Sequence, residues 1–424
     1  MDLKRLYPIL LIIFVNILGS GVIMPVLPLY AEGQFSGTVV QITLLSTAFF
    51  AAQFFAAPWL GRLSDRVGRR PVLLISQLGT VLAFILFIFA GPLGQRLDQS
   101  LTWLPMTGGM TMLYIARILD GITGGNITTA QAYVSDITDE ENRAHGLGLV
   151  QGAFGLGFIF GPAFGGVLAK YGPTFPFIGA AIITSITFLL TFFTLSESLS
   201  SEARQQVQDD HKLSLSLGSL FRQTAFPILL GVTFFTTLAF SAMTSTFALY
   251  ADRVIFEDTI SQDQIQLAIG LMLTLYGLMA VITQFGLLKP LVQWLGEEKL
   301  LLLGCAALGL GMFGVGLVET VILAIVFFAP FAFGRGVTQP SLQSLITRFG
   351  TRGTGGRMLG LYHASRSLAL ILSPVWAGYA FEQLGPRSVY FIGAIILVVA
   401  TVFVLSLLRI NTQVSTSQPV SEEQ

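Results

Sequence analysis

An arginine and an aspartate three positions apart, Arg117 and Asp120, lie inside an otherwise apolar stretch of this 424-residue chain. Burial disfavours an ionised carboxylate while a neighbouring arginine favours it, so a carboxylate under both influences can bind and release a proton. The alternative is a static ion pair that only helps helices to pack. Gly124 and three polar residues follow at steps of three and four and would share one helix face: Thr128, Gln131 and Ser135.

A second group with a chemical role is the charged segment GRLSDRVGRR at residues 61–70. Gly61 and Gly68 can adopt positive φ angles without steric cost, which a tight turn requires. Asp65 can accept hydrogen bonds from amides at a helix N-terminus, and three arginines can pair with it or with Asp136. Such ion pairs can form in one conformation and break in another, so the segment is a candidate gate; the alternative is a plain solvated loop. The arginines are Arg66, Arg69 and Arg70.

The composition indicates that these residues belong to a membrane protein. Hydrophobic residues make up 53% of the chain and charged residues 11%, and the mean hydropathy is +0.75. Apolar runs close to the roughly 20 residues that span a bilayer recur along the whole length. The formal net charge of zero gives no electrostatic case for nucleic-acid binding. A single cysteine, Cys305, excludes a disulfide within the chain, and three scattered histidines give no metal site.

The apolar runs predict twelve transmembrane helices. Lys and Arg concentrate in the loops on the side of the N-terminus, which places both termini and the 61–70 segment in the cytoplasm. The first run is too long for a signal-peptide core and is the first span. The spans are expected near 6–30, 38–60, 71–92, 108–135, 145–169, 176–195, 224–249, 266–288, 299–318, 321–346, 358–382 and 389–408.

The chain is predicted to consist of two related halves. Residues 117–125 (RILDGITGG) resemble residues 333–341 (FGRGVTQPS), and residues 160–173 resemble residues 372–386. Paired six-span repeats are typical of transporters that open alternately to the two sides of a membrane. We therefore expect an all-α integral membrane fold with two pseudo-symmetric six-helix bundles. The predicted parts are a first bundle (1–195), a cytoplasmic linker (196–223), a second bundle (224–408) and a cytoplasmic tail (409–424).

Several of these segments resemble the motifs of one family. The 61–70 segment reads G-x-L-x-D-R-x-G-R-R, which resembles the signature of major facilitator superfamily transporters between spans two and three. RILDGITGG resembles their fourth-span motif, and segments 19–28 and 133–148 are most similar to the tetracycline-efflux, drug:proton antiporter branch. The fifth predicted span resembles the antiporter motif of the superfamily, with Gly148, Gly157, Gly161, Pro162, Gly165 and Gly166.

The resemblance implies a twelve-helix major facilitator fold in which spans one, four, seven and ten line a central cavity. The tetracycline-efflux branch carries buried aspartates in spans one, three and nine, where this chain has Asn16, Ala83 and Leu308. This departure argues against tetracycline–metal chelates as the substrate and removes the usual proton sites of the branch. The candidate substrate contacts are Asn16, Gln131, Gln339 and Arg335.

Together these features predict a secondary active transporter that exports small lipophilic or amphipathic compounds in exchange for protons, with Asp120 and Arg117 as the coupling pair. We expect no enzyme, cofactor or metal, since the sequence holds neither a nucleophile–base constellation nor an ATPase motif. The expected partners are a small-molecule substrate, protons and the lipid bilayer of a bacterial cytoplasmic membrane, and the expected state is a monomer. Two alternatives stay open: a facilitator or proton symporter for sugars or organic anions, and a membrane receptor that does not transport.

Overall fold

The computed structural model describes residues 3–100, 106–124, 126–199, 225–257, 260, 262–348 and 355–416. These residues form helices joined by short connections, and they contain no β-strand. The predicted all-α class is confirmed. The predicted linker beyond residue 199 and the predicted tail beyond residue 416 lie outside the described residues.

The helices of the first half begin with a long helix and alternate with short turns. They are α1 (Leu3–Phe35), α2 (Val39–Val67), α3 (Arg69–Ile88), α4 (Ala90–Ser100), α5 (Gly108–Thr123), α6 (Asn126–Asp136), α7 (Glu140–Ala169) and α8 (Phe175–Thr194).

The helices of the second half include two short π-helical turns, Ala251–Ile255 and Thr283–Leu287, that extend α-helices. The α-helices are α9 (Ala225–Tyr250), α10 (Gln262–Ile282), α11 (Leu288–Leu295), α12 (Glu297–Leu317), α13 (Val321–Arg348), α14 (Gly355–Leu384) and α15 (Ser388–Thr416).

Ten helical segments of the described residues are long and apolar enough to cross a bilayer. Large apolar side chains such as Phe55, Phe193 and Ile322 are exposed on them, as contact with lipid requires. The two predicted spans outside these ten are 108–135, which corresponds to α5 and α6, and 358–382, which lies in α14. The exact number of twelve spans stays a prediction.

The predicted span 108–135 differs from expectation because it is broken into α5 and α6. Gly124 ends α5 and donates its N–H to the Asp120 carbonyl oxygen at 2.6 Å, and α6 begins at Asn126. Glycine is a poor helix former, and the sequence places two glycines together here. The Gly124 carbonyl is satisfied by the Gln53 side chain of α2, whose Nε2 donates to it at 3.0 Å. The polar stripe expected on one helix is therefore shared between two.

The chain divides into two compact units. The first unit comprises the described residues of Met1–Leu213, Thr244–Gly277 and Pro374–Pro386, and the second comprises those of Ser214–Met243, Leu278–Ser373 and Arg387–Gln424. The predicted boundaries of the two six-helix bundles stay a prediction.

Each unit has its own apolar core. In the first unit α1 packs against α7 and α8, and α3 packs against α5 and α8. Leu73 of α3 and Tyr133 of α6 belong to the core of this unit. In the second unit α12 packs against α13 and α15, and its core contains Phe226, Leu301 and Tyr362. The candidate gate and the Arg117–Asp120 pair both lie in the first unit.

Candidate functional site

The Arg117–Asp120 pair is buried on α5. Arg117 Nη1 lies 3.2 Å from Asp120 Oδ2, and the two residues are 6% and 7% exposed. Thr80 of α3 donates a hydrogen bond from Oγ1 to the other carboxylate oxygen of Asp120 at 3.3 Å. The Arg117 guanidinium lies over the Phe49 ring of α2, 4.1 Å from its centroid. Three helices therefore hold one buried ion pair.

The surroundings of Arg117 leave part of its hydrogen-bonding capacity unused. Its Nε has no hydrogen-bond partner among the residues that the structure describes. A ring face attracts a cation but cannot replace a hydrogen-bond acceptor. The pair is thus a buried ion pair whose arginine keeps one N–H unsatisfied in the described part of the chain, and ionisable residues that face the interior of a helix bundle in a membrane commonly mark functional sites.

The candidate gate centres on Arg69 at the N-terminus of α3. Arg69 Nη1 donates to Asp65 Oδ1 at 2.5 Å and to Ser64 Oγ at 2.7 Å, both at the end of α2. Arg69 Nε donates to Asp136 Oδ2, at the end of α6, at 3.2 Å. These four residues form what we call the Arg69 cluster. Its arginine is buried, whereas the two carboxylates are partly exposed.

Glu197 completes this cluster, and sequence reasoning missed it. Its carboxylate oxygens accept hydrogen bonds from the backbone N–H groups of Arg69 at 2.8 Å and Arg70 at 3.2 Å. A carboxylate at the first turn of α3 satisfies otherwise free amides and the positive end of the helix. Ser198 adds a hydrogen bond from its Oγ to Asp136 Oδ2 at 3.0 Å. The start of the predicted linker is therefore docked on the Arg69 cluster.

Other members of the 61–70 segment lie around this cluster. Arg70 donates from Nη2 to the Phe192 carbonyl of α8 at 2.6 Å, and Arg66 is exposed. Gly68 has φ 109°, which the turn between α2 and α3 requires. Gly61 instead lies inside α2 with open space where a Cβ would be, so the expectation that it makes the turn is wrong.

The antiporter-motif residues lie on two faces of α7. Gly157, Gly161 and Gly165 face α1: a Cβ at Gly161 would lie 2.7 Å from the Leu18 carbonyl oxygen. A Cβ at Gly166 would lie 2.8 Å from the Gln266 carbonyl oxygen of α10, within the same unit. Small residues allow such close backbone approach.

The rest of the motif differs from residue to residue. Pro162 lies on the α10 side, one turn before Gly166, where its carbonyl approaches Gly270. Among the described residues, no atom of a neighbouring element lies within 4 Å of a Cβ position at Gly148, so this glycine takes no part in the close packing seen there.

The four candidate substrate contacts are half-buried. Asn16 on α1 and Gln131 on α6 lie in the first unit, while Arg335 and Gln339 on α13 lie in the second. Arg335 packs over the Phe240 ring of its own unit, 4.1 Å from the centroid. Within each unit these side chains are accessible enough to meet a ligand.

Comparison with known proteins places the chain in a family. The profile of the Major Facilitator Superfamily matches residues 9–355 and 254–424. The class E tetracycline resistance protein of Escherichia coli is 30% identical over 379 residues, which cover 88% of this chain and 87% of that protein. Multidrug resistance protein 2 of Bacillus subtilis (strain 168) is 30% identical over 385 residues, 89% of each chain.

Solved structures agree on the fold. The nucleoside transporter NupG superimposes with a TM-score of 0.76 at 12% identity, covering 95% of this chain and 99% of that one. The human organic anion transporter MFSD10 has a TM-score of 0.67 at 19% identity with the same coverage. Identities this low support the fold alone. The family profile and the relatives matched over most of their length lead to one conclusion: the chain is an integral membrane transporter of small molecules and belongs to the Major Facilitator Superfamily.

Proposed function

We propose that this transporter exports small lipophilic or amphipathic compounds in exchange for protons, by alternating access. The buried Arg117–Asp120 pair, held by Thr80 and Phe49, is the observation that carries the proposal. The bacterial relatives and the excess of Lys and Arg in alternate loops support a bacterial cytoplasmic membrane with both termini inside. We also propose that the transporter acts as a monomer.

Proton binding to Asp120 would change the balance of charge at the pair. The ionised pair is neutral overall, whereas protonated Asp120 leaves Arg117 as an uncompensated buried cation. Breaking a buried ion pair costs about 3–5 kcal/mol. The protonated state would therefore favour a conformation in which Arg117 reaches water or another acceptor. Proton uptake from outside and release inside would then drive the exchange of the two open states.

The Arg69 cluster would act as the cytoplasmic gate. Arg69 joins the ends of α2 and α6 through Asp65 and Asp136, and Glu197 attaches the linker to the same place. Because the carboxylates are partly exposed, water can replace these contacts when the helices separate. The cluster would hold one closed form and release it at modest cost.

The substrate class follows from the relatives and from what this chain lacks. The relatives are named for resistance to tetracycline or to several drugs. Ala83 and Leu308 are buried and apolar here, so these positions offer no carboxylate to a metal-chelated drug. We therefore assign lipophilic compounds without a bound metal, cationic ones included.

The proposal can be tested in everted membrane vesicles whose lumen is acidified by respiration. Addition of ethidium, a lipophilic cation, should collapse the pH gradient when wild-type protein exchanges it for protons. Asp120→Asn cannot bind a proton and should abolish this response, while Asp120→Glu should retain part of it. The readout is the fluorescence of a pH-gradient dye, with folding checked by the melting temperature of purified protein.

A matched control removes a carboxylate elsewhere. Asp139 is exposed at the start of α7 and its side chain does not cap the helix, so Asp139→Asn should respond to ethidium as the wild type does. Gradient collapse by Asp120→Asn equal to that of the wild type would refute coupling at this residue. Loss of the response in both variants would point to general damage instead.

Transport of organic anions is the second candidate function. Arg335 is half-buried over Phe240, and Arg117 lies over Phe49 at the same 4.1 Å. Each site places a guanidinium, which can pair with an anion, beside an aromatic ring, which can pack against another ring. Saturable uptake of fluorescein that is lost in Arg335→Gln and unaffected by the pH gradient would favour this candidate.

A further inference from the structure

We infer that α3, α5 and α6 enclose a water-binding seam beside Asp120, through which its proton passes toward the Arg69 cluster. The seam consists of Thr80, Gln77, Ser76 and Thr129, all in the first unit. The proton-carrying role rests on the proposed function of Asp120, whereas the binding of water there does not.

Three of these side chains are buried with unused hydrogen-bonding atoms. Ser76 Oγ, both polar atoms of the Gln77 amide and Thr129 Oγ1 have no partner in the part of the chain that the structure describes. Ser76 is 0% exposed, and Gln77 and Thr129 are each 1% exposed. Buried polar groups are almost always hydrogen-bonded, and internal water serves those that lack a protein partner. Four such atoms together supply the polar partners that a bound water needs.

Helix geometry places Ser76 opposite Thr129. The hydrogen bond between Arg69 and Asp136 shows which sides of α3 and α6 face each other. Ser76 follows Arg69 by seven residues and Thr129 precedes Asp136 by seven. Seven residues make about two helical turns, or about 10.5 Å. The contact joins the N-terminal end of α3 to the C-terminal end of α6, so the two antiparallel helices extend from it in the same direction, as the shared core of Leu73 and Tyr133 also shows. Ser76 and Thr129 therefore come to the same level on the facing sides.

The seam continues from Ser76 to Asp120. Gln77 follows Ser76 directly, and Thr80 lies one turn further along the same side of α3. The Thr80 hydroxyl donates a hydrogen bond to Asp120 Oδ1. Polar atoms therefore form a path from the Asp120 carboxylate, past the Thr80 hydroxyl and the Gln77 amide, to the hydroxyls of Ser76 and Thr129. The charged groups at the two ends are Arg117 with Asp120, and Arg69 with Asp65, Asp136 and Glu197.

An apolar layer separates the seam from the Arg69 cluster. Leu73 lies one turn from both Arg69 and Ser76, is fully buried, and packs in the core with Ala130 and Tyr133. In the described conformation the seam is therefore closed at this end. The proton would leave only when the helix ends move apart, which is the movement that the Arg69 cluster restrains.

The proton step is a simple transfer. Protonated Asp120 gives its hydrogen to a seam water, and the resulting hydronium passes its proton to water that enters past Leu73. The carboxylate is left ionised and pairs again with Arg117. Gln77 takes no proton itself; it holds the water in place as donor and acceptor.

The seam can be tested by thiol accessibility, for which the chain is convenient because its only cysteine, Cys305, is buried. In a Cys305→Ala background, Ser76→Cys and Thr129→Cys would be treated with N-ethylmaleimide in membrane vesicles. The matched control is Ala130→Cys, which adjoins Thr129 and is equally buried but lies in the apolar core. Only a hydrated thiol forms the reactive thiolate, so we expect the two seam cysteines to react at least about tenfold faster.

Equal reaction rates at all three positions, or no reaction at any, would overturn the seam. A second arm tests its role: Gln77→Leu should slow ethidium-driven proton movement severalfold without changing ethidium binding, whereas Gln77→Asn should be nearly normal. If Gln77→Leu moves protons at the wild-type rate, the route is wrong. If the wild type moves no protons while the seam cysteines still react, the proposed function fails and the hydrated seam stands.

Discussion

Gly61 and Gly68 show how two glycines of one signature can serve different purposes at the scale of single residues. Gly68 has φ 109° and ψ 162°, a conformation that residues with a Cβ rarely adopt, and it joins α2 to α3. Gly61 is helical, and in the part of the chain that the structure describes no atom beyond its own helix and chain neighbours lies within 4 Å of its Cβ position. Of the two positions, only that of Gly68 has a backbone conformation that requires glycine.

Replacement of these glycines by alanine should therefore have opposite effects on stability. Gly68→Ala should lower the free energy of unfolding by about 1–3 kcal/mol because it strains the turn. Gly61→Ala should be neutral or stabilise the protein by up to about 1 kcal/mol because alanine favours a helix. Thermal unfolding of the purified variants in detergent measures both, and equal melting temperatures would show that the turn does not need glycine.

At the scale of elements, α7 is a helix with two closely packed faces. One face meets α1 through Gly157, Gly161 and Gly165, and the other meets α10, where Thr274 donates from Oγ1 to the Ile159 carbonyl at 2.9 Å. Van der Waals packing and such hydrogen bonds drive helix association in a membrane. The motif thus sets the distance of α7 from two neighbours at once.

A methyl group on the α1 face should push these helices apart. In Gly161→Ala the new Cβ would lie 2.7 Å from the Leu18 carbonyl oxygen and 2.8 Å from Gly21 Cα, so backbone must move. We expect a loss of about 1–3 kcal/mol, as for other overpacked sites, and slower ethidium transport. Gly148→Ala is the control, since its Cβ position is open. A normal melting temperature for Gly161→Ala would contradict this packing.

The turn between α11 and α12 repeats the turn between α2 and α3 with its charges reversed. Gly296 has φ 77° and is followed by Glu297, as Gly68 is followed by Arg69. Glu297 Oε2 accepts from Arg348 Nη1 at the end of α13 at 3.2 Å. The related halves expected from sequence therefore share a turn geometry even where the residues differ.

Hydropathy predicted most helix positions because lipid contact requires long apolar runs, which the sequence shows directly. The break at Gly124 was missed, although two adjacent glycines were its signal, because hydropathy does not respond to helix propensity. Glu197 was missed because it meets Arg69 across 128 positions of sequence, and such contacts depend on tertiary packing. The buried Arg117–Asp120 pair was found because charge is rare in an apolar run.

At the scale of the whole molecule, the first unit draws residues from distant parts of the chain. Arg253, in the π-helical turn after α9, forms an ion pair with Glu32 at the end of α1. Arg253 also lies 5.4 Å from the centroid of Phe381, and neighbouring Glu382 accepts from the Val40 backbone N–H at 3.0 Å. These contacts join the ends of four helices, α1, α2, α9 and α14.

Reversal of the charges should show whether this junction matters to transport. Both side chains are about a third exposed, so the pair contributes at most about 1 kcal/mol, or about fivefold in a conformational equilibrium. Glu32→Arg and Arg253→Glu should each reduce ethidium-driven proton exchange severalfold. The double variant restores opposite charges and should recover most of the rate. A double variant as slow as the single ones would exclude a role for the ion pair.

The break between α5 and α6 has a mechanical consequence. On a continuous helix Asp120 and Asp136 would move together as one rigid body. Here the helix is interrupted between them, with Gly124 at the end of α5. The break is bound to α2 through Gln53, so a tilt of α6 at this point would leave the Arg117–Asp120 pair in place. In the proposed transport cycle, the Arg69 cluster could therefore open before Asp120 changes its surroundings, and the two events need not occur in one step.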